Sequence, residues 1–154
     1  MEALANLHPL VIHFPIVLLM TYALLEIVGI FSKDSSISGF AYIILIVAVL
    51  SSVAALVTGN QAAHISESLY SGNFNIPKQV IEQHQLFATI TVWFYVLVFL
   101  FRTYLVVKKK FIGRMRYIFI IFAIVGVYFI VVTGNLGGKL VFNHGVGTEL
   151  TSPQ

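Results

Sequence analysis

Cysteine is absent from the chain, which excludes disulfides, thiolate metal sites, cysteine-held iron–sulfur clusters and covalent haem attachment through C-x-x-C-H. Charge is scarce as well: 10% of residues are charged and 58% are hydrophobic, where soluble domains carry about 25% charged residues. Asp, Glu, Lys and Arg are missing altogether from Ala3–Leu25, Ser35–Ser66, Gln83–Phe101 and Tyr117–Gly138. Each stretch can hold the roughly 20 apolar residues that cross a bilayer as a helix. The runs are continuously apolar rather than alternating, so membrane strands fit poorly. The reading is an all-α membrane protein, one domain over residues 1–154, with four transmembrane helices in an up-down bundle near 9–31, 38–60, 78–107 and 115–136. No basic segment or small-residue cleavage site frames the first helix, so it reads as a membrane helix rather than a signal peptide. No nucleophile–base constellation points to an independent hydrolase.

The basic residues fix an orientation. The third connection, "VVKKKFIGRMRY", holds Lys108, Lys109, Lys110, Arg114 and Arg116 and no acid. Short loops rich in Lys and Arg stay in the cytoplasm, so both termini and the His64–Gln83 connection are expected outside, and the "SKDSS" connection inside. The net charge of +3 reflects this juxtamembrane cluster and does not call for nucleic acid.

All five histidines then fall toward the outer face: His8 and His13 at the start of helix one, His64 after helix two, His84 at the start of helix three and His144 after helix four. The chain also repeats. "LVTGN" (56–60) ends the second helix and "VVTGN" (131–135) the fourth, with His8 and His84 at matching distances upstream. Two such hairpins would pack about a pseudo-twofold axis along the membrane normal.

Pro9 suits the first turn of a helix, which gives His8 before it a mainly capping role. His13 and His84, within helices of one bundle, are expected as ligands, because cofactor sites in bundles are built from inward side chains and intramembrane polar groups are functional by default. His64 and His144 form the second candidate pair, His144 in the glycine-rich "GGKLVFNHGVG". Thr58 with Asn60, and Thr133 with Asn135, have two uses open: bonding a histidine's second nitrogen, or capping the helix end. Ser51, Ser52, Ala54, Ala55 and Gly126 read as close-packing residues. Imidazole suits haem iron, copper and zinc. Clustered zinc spacing such as H-E-x-x-H is missing, and histidines on separate helices suit axial ligation of a flat cofactor, so haem b (one or two, non-covalent) is preferred.

"LHPLVIHFPIVLL", "EQHQLFATITVW" around His84 and "TGNLGGKLVFNHGVGTEL" resemble the bacterial membrane proteins called domain of unknown function 2231. The likeness extends over essentially the whole chain. It implies a four-helix membrane domain of the bacterial inner membrane that binds haem b and works beside cytochrome or Rieske modules. Carried over by position, the characteristic histidines are His8, His13, His84 and His144; His64 rests on the repeat.

The expected function is a b-type cytochrome-like electron-transfer subunit, rather than a stand-alone enzyme. It would exchange electrons between the quinone pool in the lipid bilayer and a periplasmic cytochrome or Rieske-type partner. The alternatives are a non-haem copper or zinc protein, or a structural subunit of a respiratory complex. At the inner end, Glu26 and Arg102 reach a similar depth on parallel helices. An unpaired charge there is costly, so the two are expected to pair as a structural clamp.

Overall fold

The computed structural model describes residues 2–32, 35–70 and 78–146, and every element among them is a helix. These are α1 (Glu2–Val11), α2 (His13–Phe31), α3 (Ser35–Tyr70), α4 (Lys78–Val107) and α5 (Arg114–His144). Four spans are long and apolar enough to cross a membrane: Ala5–Phe31, Ser36–Ile65, Lys78–Val107 and Arg114–His144. The expected four-helix membrane architecture stands. The placements expected for Lys33 and Asp34, for 71–77 and for the tail from 147 lie outside the described residues.

The first span contains two helices because of proline. Pro15 has no N–H for the Val11 carbonyl, and its ring pushes against that carbonyl. The break falls at Ile12, where Ile12 N–H still reaches the His8 carbonyl at 3.1 Å but Ile16 N–H stretches to the Ile12 carbonyl at 3.5 Å. Pro9 lies inside α1 rather than in the first turn of a helix. The helix already starts at Glu2, well upstream of that placement, so His8 is no cap.

Packing closes a ring. α2 packs on α3, α3 on α4, α4 on α5 and α5 on α2, while α1 lies against α3. Successive helices run antiparallel, which leaves α2 diagonal to α4 and α3 diagonal to α5. The buried positions of α2 and α4 superimpose at one constant offset: Pro15, Leu19, Tyr22, Glu26 and Gly29 correspond in turn to Thr91, Tyr95, Val98, Arg102 and Leu105. A second constant offset relates α3 to α5: Ala41, Leu45, Ala48 and Ser52 correspond to Phe119, Ala123, Gly126 and Ile130. This shared register over the middle of the bundle is what two hairpins repeated about a pseudo-twofold would give, as the repeat suggested. It differs from the register of the repeated T-G-N. The buried positions pair Thr58 with Leu136, whereas the second copy of the motif begins at Thr133. The motif sits one helical turn away from structural equivalence.

Volume is exchanged across the halves, with Ala41 against the position of Phe119 and Leu45 against that of Ala123. Tyr22, Tyr95, Leu45, Ala48 and Phe119 build one buried cluster through the middle of the ring. Phe14, Trp93, Leu97, Ile121 and Tyr128 point outward, each more than half exposed. In water so much exposed apolar surface would be an aggregation liability, and in a bilayer it is the lipid contact.

Candidate functional site

At the end of the bundle that holds the N-terminus, α1 and α4 each turn one imidazole against the second helix of their own hairpin. The His8 ring reaches α3, where Nδ1 lies 3.1 Å from Thr58 Oγ1. Thr58 gives its only hydroxyl hydrogen to the Ala55 carbonyl at 3.1 Å, so its oxygen accepts and His8 Nδ1–H donates. The His84 ring reaches α5, where Nδ1–H donates to the Thr133 carbonyl at 3.2 Å. Thr133 is held in turn by Thr91, with hydroxyl oxygens 2.9 Å apart, while Thr91 donates to the Phe87 carbonyl at 2.7 Å.

Glycine makes both approaches possible. A Cβ on Gly59 would lie 2.7 Å from His8 Cε1, and one on Gly137 would lie 3.1 Å from His84 Cε1. The histidines, the glycines beneath them and the positions of the two carbonyls obey the two-fold register, while Thr58 and Thr91 fall opposite Leu136 and Pro15. His8 and His84 are counterparts at the same offset that relates Glu26 to Arg102. Gly59 and Gly137, and likewise Ala55 and Thr133, are counterparts at the offset that relates Ala48 to Gly126. One half reaches its carbonyl through the Thr58 hydroxyl and the other reaches it directly.

Chemically, the result is two half-buried imidazoles of one tautomer. Each has its Nδ1–H committed to protein, so its remaining lone pair is on Nε2. A carbonyl or hydroxyl on the second nitrogen is how ligating histidines are oriented and made more basic.

A family model described as predicted membrane protein (DUF2231) matches residues 4–150. The chain belongs to this family. No curated protein and no solved structure matches it. The match takes in both histidine-bearing segments, 8–15 and 137–147, together with all four spans.

Within this DUF2231 chain the other three histidines are placed differently. His13 is exposed where α2 begins, His64 is exposed on α3, and His144 is half-buried at the end of α5. The packing turns His8 against α3 and His84 against α5, while His13 of the expected pair with His84 is left exposed. His8 and His13 are five positions apart, roughly 140° around a helix, so turning one inward turns the other out. Among the described residues no three His, Cys, Asp or Glu side chains gather closely enough to hold a metal ion. His64 and His144 therefore do not complete such a cluster.

At the opposite end, Glu26 and Arg102 form the expected ion pair, 5% and 1% exposed. They are two-fold counterparts, and their long side chains bridge the diagonal between α2 and α4. Arg102 Nη2 also donates to the Ser38 carbonyl at 2.8 Å and to Ser38 Oγ at 3.3 Å, and the guanidinium carbon stands 4.5 Å from the Phe111 ring centre. Sequence reading did not single out Ser38 or Thr91, whereas Gly59 is the glycine of the first T-G-N and Gly137 opens the glycine-rich stretch before His144.

Proposed function

We propose that this chain is a b-type cytochrome-like electron-transfer subunit in which His8 and His84 hold one haem b. The observation that carries the reading is the two-fold pair of inward imidazoles, each anchored at Nδ1 and so left with its lone pair on Nε2. Haem iron brings four porphyrin nitrogens and needs only two axial imidazoles from protein. A structural zinc site asks for four protein ligands and a catalytic one for three. The donor set therefore suits haem better than the copper or zinc alternative.

Bound there, haem would supply one-electron redox chemistry. The protein's own part is orientation. Thr58 with Ala55, and the Thr133 carbonyl, fix the tautomers, and Gly59 and Gly137 let the rings lie close to the helix backbones. Apolar helix walls would limit water and so influence the potential. The electron donor and acceptor in this reading are quinol in the bilayer and a periplasmic cytochrome or Rieske-type protein. Residence in a bacterial inner membrane, with both termini periplasmic, rests on the Lys/Arg asymmetry. Labelling of single cysteines at 108–116 by an impermeant reagent in intact cells would overturn that orientation.

The absorption spectrum of purified protein tests the cofactor. A Soret band with reducible α and β bands is expected, lost or turned high-spin in His8→Ala and His84→Ala and retained in His13→Ala. Colourless protein carrying copper or zinc would favour the metal alternative. Colourless, metal-free protein, even after incubation with haem, would leave the histidines a packing role.

A further inference from the structure

The bundle end opposite the histidines holds a crevice of about 360 Å³ whose lining includes Ser38, Gly39, Tyr42, Arg102, Phe111 and Arg116. Two guanidinium groups meet in it. Arg102 is already matched by Glu26, yet its buried Nε has no hydrogen-bond partner. Arg116 donates to the Gly29 carbonyl, one of the last in α2, which helix geometry leaves without an intrahelical donor. That bond is to a neutral carbonyl, and among the described residues no carboxylate pairs with Arg116. No acidic residue occurs anywhere between Glu82 and Glu149, whereas Lys108, Lys109, Lys110 and Arg114 flank the crevice in sequence. Among the described residues this end of the bundle carries more cations than anions, a balance that an anion would meet.

The rim says which kind. Ile112 lines the crevice and is 70% exposed; Val107 and Tyr117 beside it in sequence are 71% and 59% exposed. A soluble anion gains nothing from such a rim, while an anionic phospholipid places its phosphodiester on the cations and its glycerol and acyl chains on the apolar edge. Basic pockets between helices at the cytoplasmic boundary recognise headgroups in this manner. We propose that the crevice binds the phosphodiester headgroup of an anionic phospholipid from the leaflet at this end of the bundle. Arg116 is its main contact, with the Arg102 Nε–H beside it; the Tyr42 hydroxyl in the lining gives its hydrogen to Thr103 Oγ1.

Thermal melting of the full chain in detergent tests this, with added phosphatidylglycerol, phosphatidylcholine or inorganic phosphate. Phosphatidylglycerol should raise the melting midpoint several degrees more than phosphatidylcholine, and inorganic phosphate should not reproduce the shift. Arg116→Gln should erase most of the difference, and Lys78→Gln at the other end should leave it intact. Arg116 also caps α2, so a second variant guards against misfolding. A Cβ on Gly39 meets nothing within 4 Å, and Gly39→Leu should fill the crevice and abolish the preference without loss of fold. Equal shifts from both lipids would overturn the proposal, as would an unchanged preference in Gly39→Leu. A phosphate shift matching that of phosphatidylglycerol would do so too, by assigning the site to soluble anions.

Discussion

Replacing Glu26 by Gln keeps the shape of the side chain and removes its charge. Arg102 would remain 1% exposed, held by the Ser38 carbonyl and hydroxyl and by the ring of Phe111, with no anion. Removing one partner of a buried pair costs about 3–5 kcal/mol, because an uncompensated charge stays behind. Arg102→Gln should cost somewhat less at the carboxylate, since Glu26 can take a proton instead of staying charged. It also forfeits the charge-assisted bonds to Ser38, each worth roughly 1.5–3 kcal/mol. In the double variant two neutral amides face each other and can hydrogen-bond. Its loss should fall short of the sum of the singles by about 2–3 kcal/mol, within the range for groups in one network. Reversible unfolding by increasing SDS in mixed micelles gives all four free energies. Additivity within about 0.5 kcal/mol, the behaviour of independent sites, would refute the clamp.

Gly126→Ala would set a Cβ on the phenolic end of the fully buried Tyr95, and a loss of roughly 1–3 kcal/mol is expected from overpacking; Gly39→Ala, with open space around it, should be neutral or stabilising in the same unfolding assay. Lys109 ends α4 at φ 54, with Lys110 N–H on the Leu105 carbonyl and Lys109 N–H on that of Val106, the Schellman pattern in which glycine is usual. Lys109→Gly should therefore raise stability by about 1 kcal/mol, and a decrease would show that the lysine side chain outweighs the backbone strain. Gly59→Ala should displace the His8 ring and lower haem occupancy in the visible spectrum, whereas Gly134→Ala, which meets nothing within 4 Å, should leave occupancy unchanged.

The membrane class and the four spans were legible because charge is absent over long stretches, a signal that depends on composition and not on contacts. The Glu26–Arg102 pair was legible for a related reason: depth along a helix can be counted, and a charge at that depth needs a partner. Which histidine faces inward was harder, because it depends on rotation about the helix axis. Taking Pro9 as a helix start hid the part of α1 that carries His8. The rotation was nevertheless encoded. The stretch from His8 to Glu26 is as long as that from His84 to Arg102, and in the unbroken α4 that length makes five full turns at about 3.6 residues per turn. A residue known to face the interior at one end thus marks the interior face at the other. The T-G-N match misled by one turn, since short identical segments report composition while register is set by packing.

The two-fold arrangement gives these pairs a common logic. A residue near a pseudo-twofold axis meets its own counterpart from the other half, so any charge placed there confronts whatever its duplicate carries. Two buried carboxylates or two buried guanidiniums at 26 and 102 would repel at low dielectric, where like charges cost most. The halves carry opposite signs there, and the conflict becomes an ion pair. At 8 and 84 they carry the same residue, and both copies keep the lone pair on the same nitrogen. Helix packing alone does not ask for identity: the counterparts Pro15 and Thr91, or Tyr22 and Val98, differ freely. A pair of like donors is one that the proposed haem could use. Under the proposed reading the two alanine variants would be equivalent in effect, since each would remove one of the two histidines that would hold the haem and leave the other in place.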